Sequence, residues 1–215
     1  MTDYKKPDHW QQKARKEGYP ARSVYKIKEI DEKFGLFKNR NKGSSGSLAF
    51  RVLDLGAAPG SWSLYVLRKM TSVKGAFLSA ADLSPLSREF DKGLFDGGNF
   101  FFIQGDITDA QIRETLVSKG KYSVIISDAA PATTGNRTVD TARSLELTEA
   151  VLDYAEAALE KNGTMAVKVF QGGDSAALLK RMKTLFETVK TFKPQACRDN
   201  SMETYFIGLG KDKQC

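Results

Sequence analysis

The chain has 215 residues, 41% hydrophobic and 27% charged, and its 33 basic and 26 acidic side chains leave a net charge of +7. That length suits one globular domain with a full core, and no run approaches the roughly 18 apolar residues of a membrane span. The single histidine, His9, excludes a Ser-His-Asp triad or a histidine-rich metal site, and Cys197 and Cys215 have neither metal spacing nor a disulfide framework. A reducing cytoplasm is the expected location, since the first residues, MTDYKKPDHW, are polar and carry no secretory signal. The positive surplus points to a polyanionic partner, and any proton transfer must use lysine, tyrosine or carboxylates.

Residues 1–22 are basic and polar, with Lys5, Lys6, Lys13, Arg15, Lys16 and Arg22 interleaved with Tyr4, Trp10 and Tyr19. Basic groups attract phosphate and aromatic rings can stack on unpaired bases, so this segment is a candidate RNA contact; the plainer reading is a solvated tail, His9 included. From Ser23 a helical pattern places Val24, Ile27 and Ile30 on one side. Lys26 shares roughly that register, so it either snorkels or points into a cleft. Residues 38–47, KNRNKGSSGS, form a polar loop leading to the first strand.

The stretch 50–62, FRVLDLGAAPGSW, reads as a buried strand, a tight glycine turn and a helix start, with the helix running from Ser61 to Met70. In open α/β sheets a ligand sits at such a turn. There is no Gly-Lys-Ser/Thr for a triphosphate and no Gly-x-Gly-x-x-Gly, and Pro59 removes an amide that a pyrophosphate would use. Asp54 would repel a pyrophosphate but suits an ammonium or sulfonium group. S-adenosylmethionine is the cationic, nucleoside-bearing ligand that fits. Asp82 ends the second strand (75–82), 22 residues after Gly60, where an acidic residue takes ribose hydroxyls. Asp106 follows the third strand (100–104) and is placed to accept from the adenine amine.

Residues 84–99 read as irregular, 107–117 as a short helix, and 124–126 as a buried strand ending at Asp128. A loop over 132–140 precedes a helix over 141–160, then a strand over 164–170. Asp174 is a candidate cap for a helix ending near Phe186, and strands over 188–193 and 204–208 pair as a terminal hairpin. The order is β/α alternation closing in an antiparallel pair, a single α/β domain over 1–215 with its sheet core over 50–210. Two polar residues violate their surroundings. Asp128 closes an apolar strand, and Lys168 interrupts Ala166-Val167 and Val169-Phe170 in a strand covered on both faces. A lysine there needs a partner or loses its proton. Methyl transfer from a sulfonium to a hydroxyl needs proximity, alignment and removal of the hydroxyl proton. Lys168 could remove that proton or only orient the oxygen, with Lys26 as a second cation and Asp128 and Glu203 holding the lysines.

The segments ARSVYKIKEID, VLDLGAAPGSWS, GDITD, IISDAAPATTG, AVKVFQGG and SMETYFIG resemble the FtsJ/RrmJ family of ribose 2′-O-methyltransferases, over about Gln12 to Gly210. The resemblance implies a Rossmann-like methyltransferase fold: a mostly parallel seven-stranded sheet with helices on both faces. It places the family's Lys-Asp-Lys-Glu tetrad on Lys26, Asp128, Lys168 and Glu203, with Lys168 as the base. It places cofactor contacts at Asp54, Gly56, Ala57, Pro59, Gly60, Ser61, Trp62, Asp82, Leu83, Asp106, Ile107 and Asp128. Ser61 stands where many members have glycine. The substrate implied is a uridine 2′-hydroxyl of large-subunit ribosomal RNA in the ribosomal subunit, with no metal, no membrane and a monomer as the default. Transfer RNA is the alternative substrate. An RNA-binding assembly factor that holds the cofactor only as a ligand is the alternative from another class.

Overall fold

The computed structural model describes residues 8–38, 50–132, 134–172, 175–198 and 201–211. Two helices come first, α1 (His9–Lys16) and α2 (Val24–Phe34). Alternating strands and helices follow: β1 (Arg51–Leu55), α3 (Ser61–Met70), β2 (Phe77–Asp82), β3 (Phe100–Gln104), α4 (Ala110–Ser118), β4 (Tyr122–Ser127), α5 (Arg137–Ala158), β5 (Leu159–Phe170), α6 (Ser175–Leu185), β6 (Phe186–Phe192) and β7 (Glu203–Lys211). They form one sheet in the order β3-β2-β1-β4-β5-β7-β6. β1 to β5 pair in parallel and β7 runs antiparallel between β5 and β6. This is the mostly parallel α/β sheet with a closing antiparallel pair that the segment order led us to expect. No helix of the described residues is long and apolar enough to cross a membrane.

The strand period of two sorts the core into two layers. Val52, Val124 and Ile126 face α2 and α3, where Val24, Ile27, Ile30, Leu64 and Leu67 are buried. Leu53, Leu55, Ile125, Met165 and Val167 face α4, α5 and α6, meeting Leu116, Val151, Leu152, Leu178 and Met182. Each such side chain contributes about 1.5–3 kcal/mol by leaving water. The parallel strands run outward in opposite directions from β1 and β4, so the sheet's switch point lies beyond the C-terminal ends of these two strands.

Several expectations change. Residues 9–16 are helical rather than a tail: the Asp8 side chain caps α1, accepting from the Gln11 amide at 2.8 Å. The aromatic rings there serve the core. Tyr19 is buried, and Trp10, half-buried, packs 4.9 Å from Tyr25; Tyr4 falls outside the described residues. The long helix starts at Arg137 because the Asn136 side chain caps it at the Thr138 and Val139 amides. A short 3-10 turn, Leu94–Asp96, lies in the stretch read as irregular. β5 begins at Leu159, earlier than 164, and β6 and β7 extend to Phe186 and Lys211. Asp174 lies outside the described residues, as does most of the loop at 38–47.

Candidate active site

Four ionisable side chains meet on the α2/α3 face of the sheet. Period two puts Lys168 on the side opposite Val167 and Val169, and Lys168 pairs across the ladder with Tyr205. Glu203, two residues before Tyr205, shares that face. Asp128 follows the last residue of β4, and Lys26 comes from the first turn of α2. Asp128 sits between the lysines: its Oδ1 is 3.1 Å from Lys168 Nζ and 3.7 Å from Lys26 Nζ. Lys168 Nζ also donates to the Asp128 carbonyl at 2.5 Å, and Lys26 Nζ donates to Glu203 Oε2 at 2.8 Å. Lys26 and Lys168 are 8% and 6% exposed, so two like charges share a nearly dry space and need the carboxylates.

The electrostatics follow from that packing. Burial works against the Lys26 ammonium, but Asp128 and Glu203 outweigh it and raise its pKa. Burial likewise pushes the Asp128 carboxyl up, but Lys168, Lys26 and the Tyr205 hydroxyl lower it on balance. A fifth group completes the cluster. Tyr205 donates its hydroxyl to Asp128 Oδ1 at 2.6 Å, with its ring 5.9 Å from that of Trp62. Sequence reasoning missed Tyr205, although the alternation Glu203-x-Tyr205 already places it on the tetrad's face.

A cleft of about 360 Å³ lies at the switch point, lined by Gly56, Asp82, Leu83, Asp106, Ile107 and, from beyond Asp128, Ala129 and Pro131. Gly56 has φ +78°, and a Cβ there would lie 2.5 Å from Ala129 Cα, so glycine is required by the crossing backbone. The turn is no phosphate cradle, because its amides are spent: Gly56 and Ala57 donate to the Ala81 carbonyl, Gly60 to that of Ala57, and Ala58 to Asp82 Oδ2. Asp82 Oδ1 accepts from the Ser84 amide, and Asp106 Oδ1 from the Thr108 amide and hydroxyl. Both carboxylates are thus aimed by backbone while keeping lone pairs for a ligand. Arg143 and Glu146 of α5 also line this cleft; no motif or spacing marks them.

Other residues expected at the cofactor turn point elsewhere. Ser61 Oγ accepts from the Ala21 amide at 2.9 Å and donates to the Ala21 carbonyl at 3.1 Å, and Trp62 Nε1 donates to the Ser23 carbonyl at 2.8 Å. These side chains fasten α3 to the entry of α2. Ala57, Pro59 and Gly60 shape the turn without lining the cleft. Asp54 lies sealed beneath it at 0% exposure. Its Oδ2 accepts from Ser63 at 2.6 Å, while Oδ1 has no partner.

Burial, opposed by Ser63 but reinforced by Asp128 and Asp82, lifts the Asp54 carboxyl to about 7. A folded pKa above the unfolded value of about 3.9 gives stability that is fully present below that value and lost as pH rises to about 7. The loss is of order 4 kcal/mol. Asp54→Asn should therefore gain on wild type in melting temperature between pH 5 and pH 8. A difference that does not change with pH would contradict this burial.

A ribosomal RNA methyltransferase from Plasmodium falciparum has a similar solved structure, with a TM-score of 0.71 and 27% identity, covering 90% of this chain and 98% of that one. Fold and site together define a methyltransferase. The FtsJ-like methyltransferase family profile matches residues 19–211, and the chain belongs to that family. It is 48% identical over 206 residues to the ribosomal RNA large subunit methyltransferase E of Treponema denticola, covering 96% of each chain. The protein of that name from Borreliella afzelii is 44% identical over 201 residues, covering 94% of this chain and 96% of the other.

Proposed function

We propose that this protein methylates a ribose 2′-hydroxyl of large-subunit ribosomal RNA, using S-adenosylmethionine. The observation that carries the reading is the convergence of Lys26, Asp128, Lys168 and Glu203 in one nearly dry cluster beside the acidic cleft. The cleft's acceptors suit a cationic nucleoside, Asp82 for ribose hydroxyls and Asp106 for the adenine amine, with Asp54 sealed below them, its Oδ1 unpartnered. When bound there, S-adenosylmethionine supplies the methyl group on a sulfonium leaving group. Lys168 Nζ, fixed by the Asp128 carbonyl and carboxylate, takes the proton from the ribose hydroxyl. Lys26, kept charged by Asp128 and Glu203, stabilises negative charge growing on the oxygen.

A cation seated above Asp54 favours its ionised form. Cofactor binding at pH 7 should therefore release a fraction of a proton, read in calorimetry as a binding enthalpy that varies with buffer ionisation enthalpy. Asp54→Asn should bind with a buffer-independent enthalpy; persistent dependence would place the proton elsewhere.

Methyl-labelled S-adenosylmethionine incubated with large ribosomal subunits, free ribosomal RNA or bulk transfer RNA tests the function. Label on the subunits supports the reading. Label on transfer RNA alone would change the substrate and keep the chemistry. Cofactor binding with no transfer would favour an assembly factor.

A further inference from the structure

Lys26 and Glu203 meet at 2.8 Å although 177 positions separate them in the chain. The sheet fixes one partner: Glu203 opens β7 and pairs across the ladder with Phe170 of β5. No ladder fixes the other. Helix α2 lies on the sheet through Val24, Ile27 and Ile30, and apolar packing of that kind is non-directional. The register of α2 against β7 therefore has to come from polar ties.

Those ties converge on one turn of the β6–β7 connector, residues 194–197, which the Cys197 amide closes by donating to the Pro194 carbonyl at 3.1 Å. Glu29 stands three residues after Lys26 on α2, a spacing that makes the two neighbours on the helix surface. Its two carboxylate oxygens are shared between successive amides of the turn: Oε2 accepts from Gln195 at 2.6 Å and Oε1 from Ala196 at 2.9 Å. Just before α2, Arg22 donates to the Ala196 carbonyl at 2.6 Å and pairs with Asp8. Ala196, fully buried, is thus held at its amide and at its carbonyl by residues that flank Lys26. The far end of the connector is tied as well. Lys193 Nζ donates to the Ser201 carbonyl at 2.8 Å, and the Glu203 amide to the Ser201 hydroxyl at 3.1 Å. Bonds to a carboxylate are roughly twice as strong as neutral ones, so Glu29 is a strong link in the path from Lys26 to Glu203.

We propose that Glu29 is a positioning residue for methyl transfer: by holding the Gln195 and Ala196 amides it sets α2 against β7, and so fixes where the Lys26 ammonium meets Glu203 and the reacting oxygen. The assignment rests on the RNA methyltransferase reading above. Glu29 acts through Lys26 and lines no part of the cofactor cleft.

The test uses the full-length protein with large ribosomal subunits and labelled S-adenosylmethionine, measuring kcat, KM for the subunits, S-adenosylhomocysteine affinity by calorimetry, and melting temperature. Glu29→Ala should lower kcat about tenfold, with KM and S-adenosylhomocysteine affinity within about twofold of wild type. Glu29→Gln keeps one acceptor oxygen and should recover part of the loss. Gln195→Pro removes one amide from the other side, at a turn position that favours proline, and should reproduce part of it. In a Glu203→Ala background, Glu29→Ala should cost less than about twofold further, because the pair it aligns is already gone. Three results in a wild type that methylates would overturn the positioning role alone: unchanged kcat in Glu29→Ala, S-adenosylhomocysteine affinity falling in parallel with kcat, or the same tenfold cost with and without Glu203. If Glu29→Ala does not fold, Gln195→Pro with and without Glu203→Ala decides by the same criteria. A wild type that binds S-adenosylhomocysteine but methylates no RNA would instead remove the functional reading, and the role of Glu29 with it.

Discussion

Lys168→Ala should lower methyl transfer to large ribosomal subunits by about 10²- to 10⁴-fold, the range set by loss of a positioned general base. S-adenosylhomocysteine affinity should stay within a few-fold, because Lys168 lines neither the acidic cleft nor its turn. Lys168→Arg separates two roles. A guanidinium does not give up its proton, so an arginine variant as inactive as alanine identifies a base, while substantial activity in the arginine variant identifies an orienting cation. Full activity in Lys168→Ala would contradict the tetrad as the reacting centre.

Asp128→Ala should be the most damaging change to stability. It leaves the ammonium groups of Lys26 and Lys168, both under a tenth exposed, without the carboxylate between them, and strips the Tyr205 hydroxyl of its acceptor. Breaking a buried ion network at one member costs about 3–5 kcal/mol, a fall in melting temperature of roughly 10 °C for a chain of this size. The folded pKa of Asp128 is lowered, so its contribution is present above the unfolded value of about 3.9 and is lost as pH falls through the folded value. The difference between wild type and Asp128→Ala should thus hold steady from pH 5 to 8 and shrink in acid. That pH dependence is opposite in sign to the one at Asp54. Unchanged melting with a silent acid limb would mean the lysines find other partners.

Features set by local pattern were legible in the sequence. The run Val52 to Leu55, its glycine turn and the helix from Ser61 to Met70 follow from periodicity and turn chemistry, and the helix ends coincide with those expected. Lys168 stood out because a lysine does not belong in a doubly covered strand, and the structure gives it the Asp128 partner that such a position demands. Features that depend on what a side chain meets across the fold were not legible. Ser61 and Trp62 sit in the glycine-turn motif yet turn toward Ala21 and Ser23, and nothing in their spacing marks that direction. Asp54 ends up sealed below the cleft because its side chain shares the face covered by α3, where Ser63 waits. Helix α1 was missed because its basic sequence resembles a solvated tail, although the Asp8 cap was there to be read.

Ribose methylation changes one atom, the 2′-oxygen, and one measurement reaches it directly. Large subunits labelled by the protein are digested in alkali, which cleaves RNA through attack by the 2′-hydroxyl on the adjacent phosphate. A methyl on that oxygen blocks cleavage, so the label should appear in an alkali-resistant dinucleotide, absent when Lys168→Ala replaces wild type. Label released as a mononucleotide methylated on its base would contradict ribose methylation and the role drawn here for Lys168.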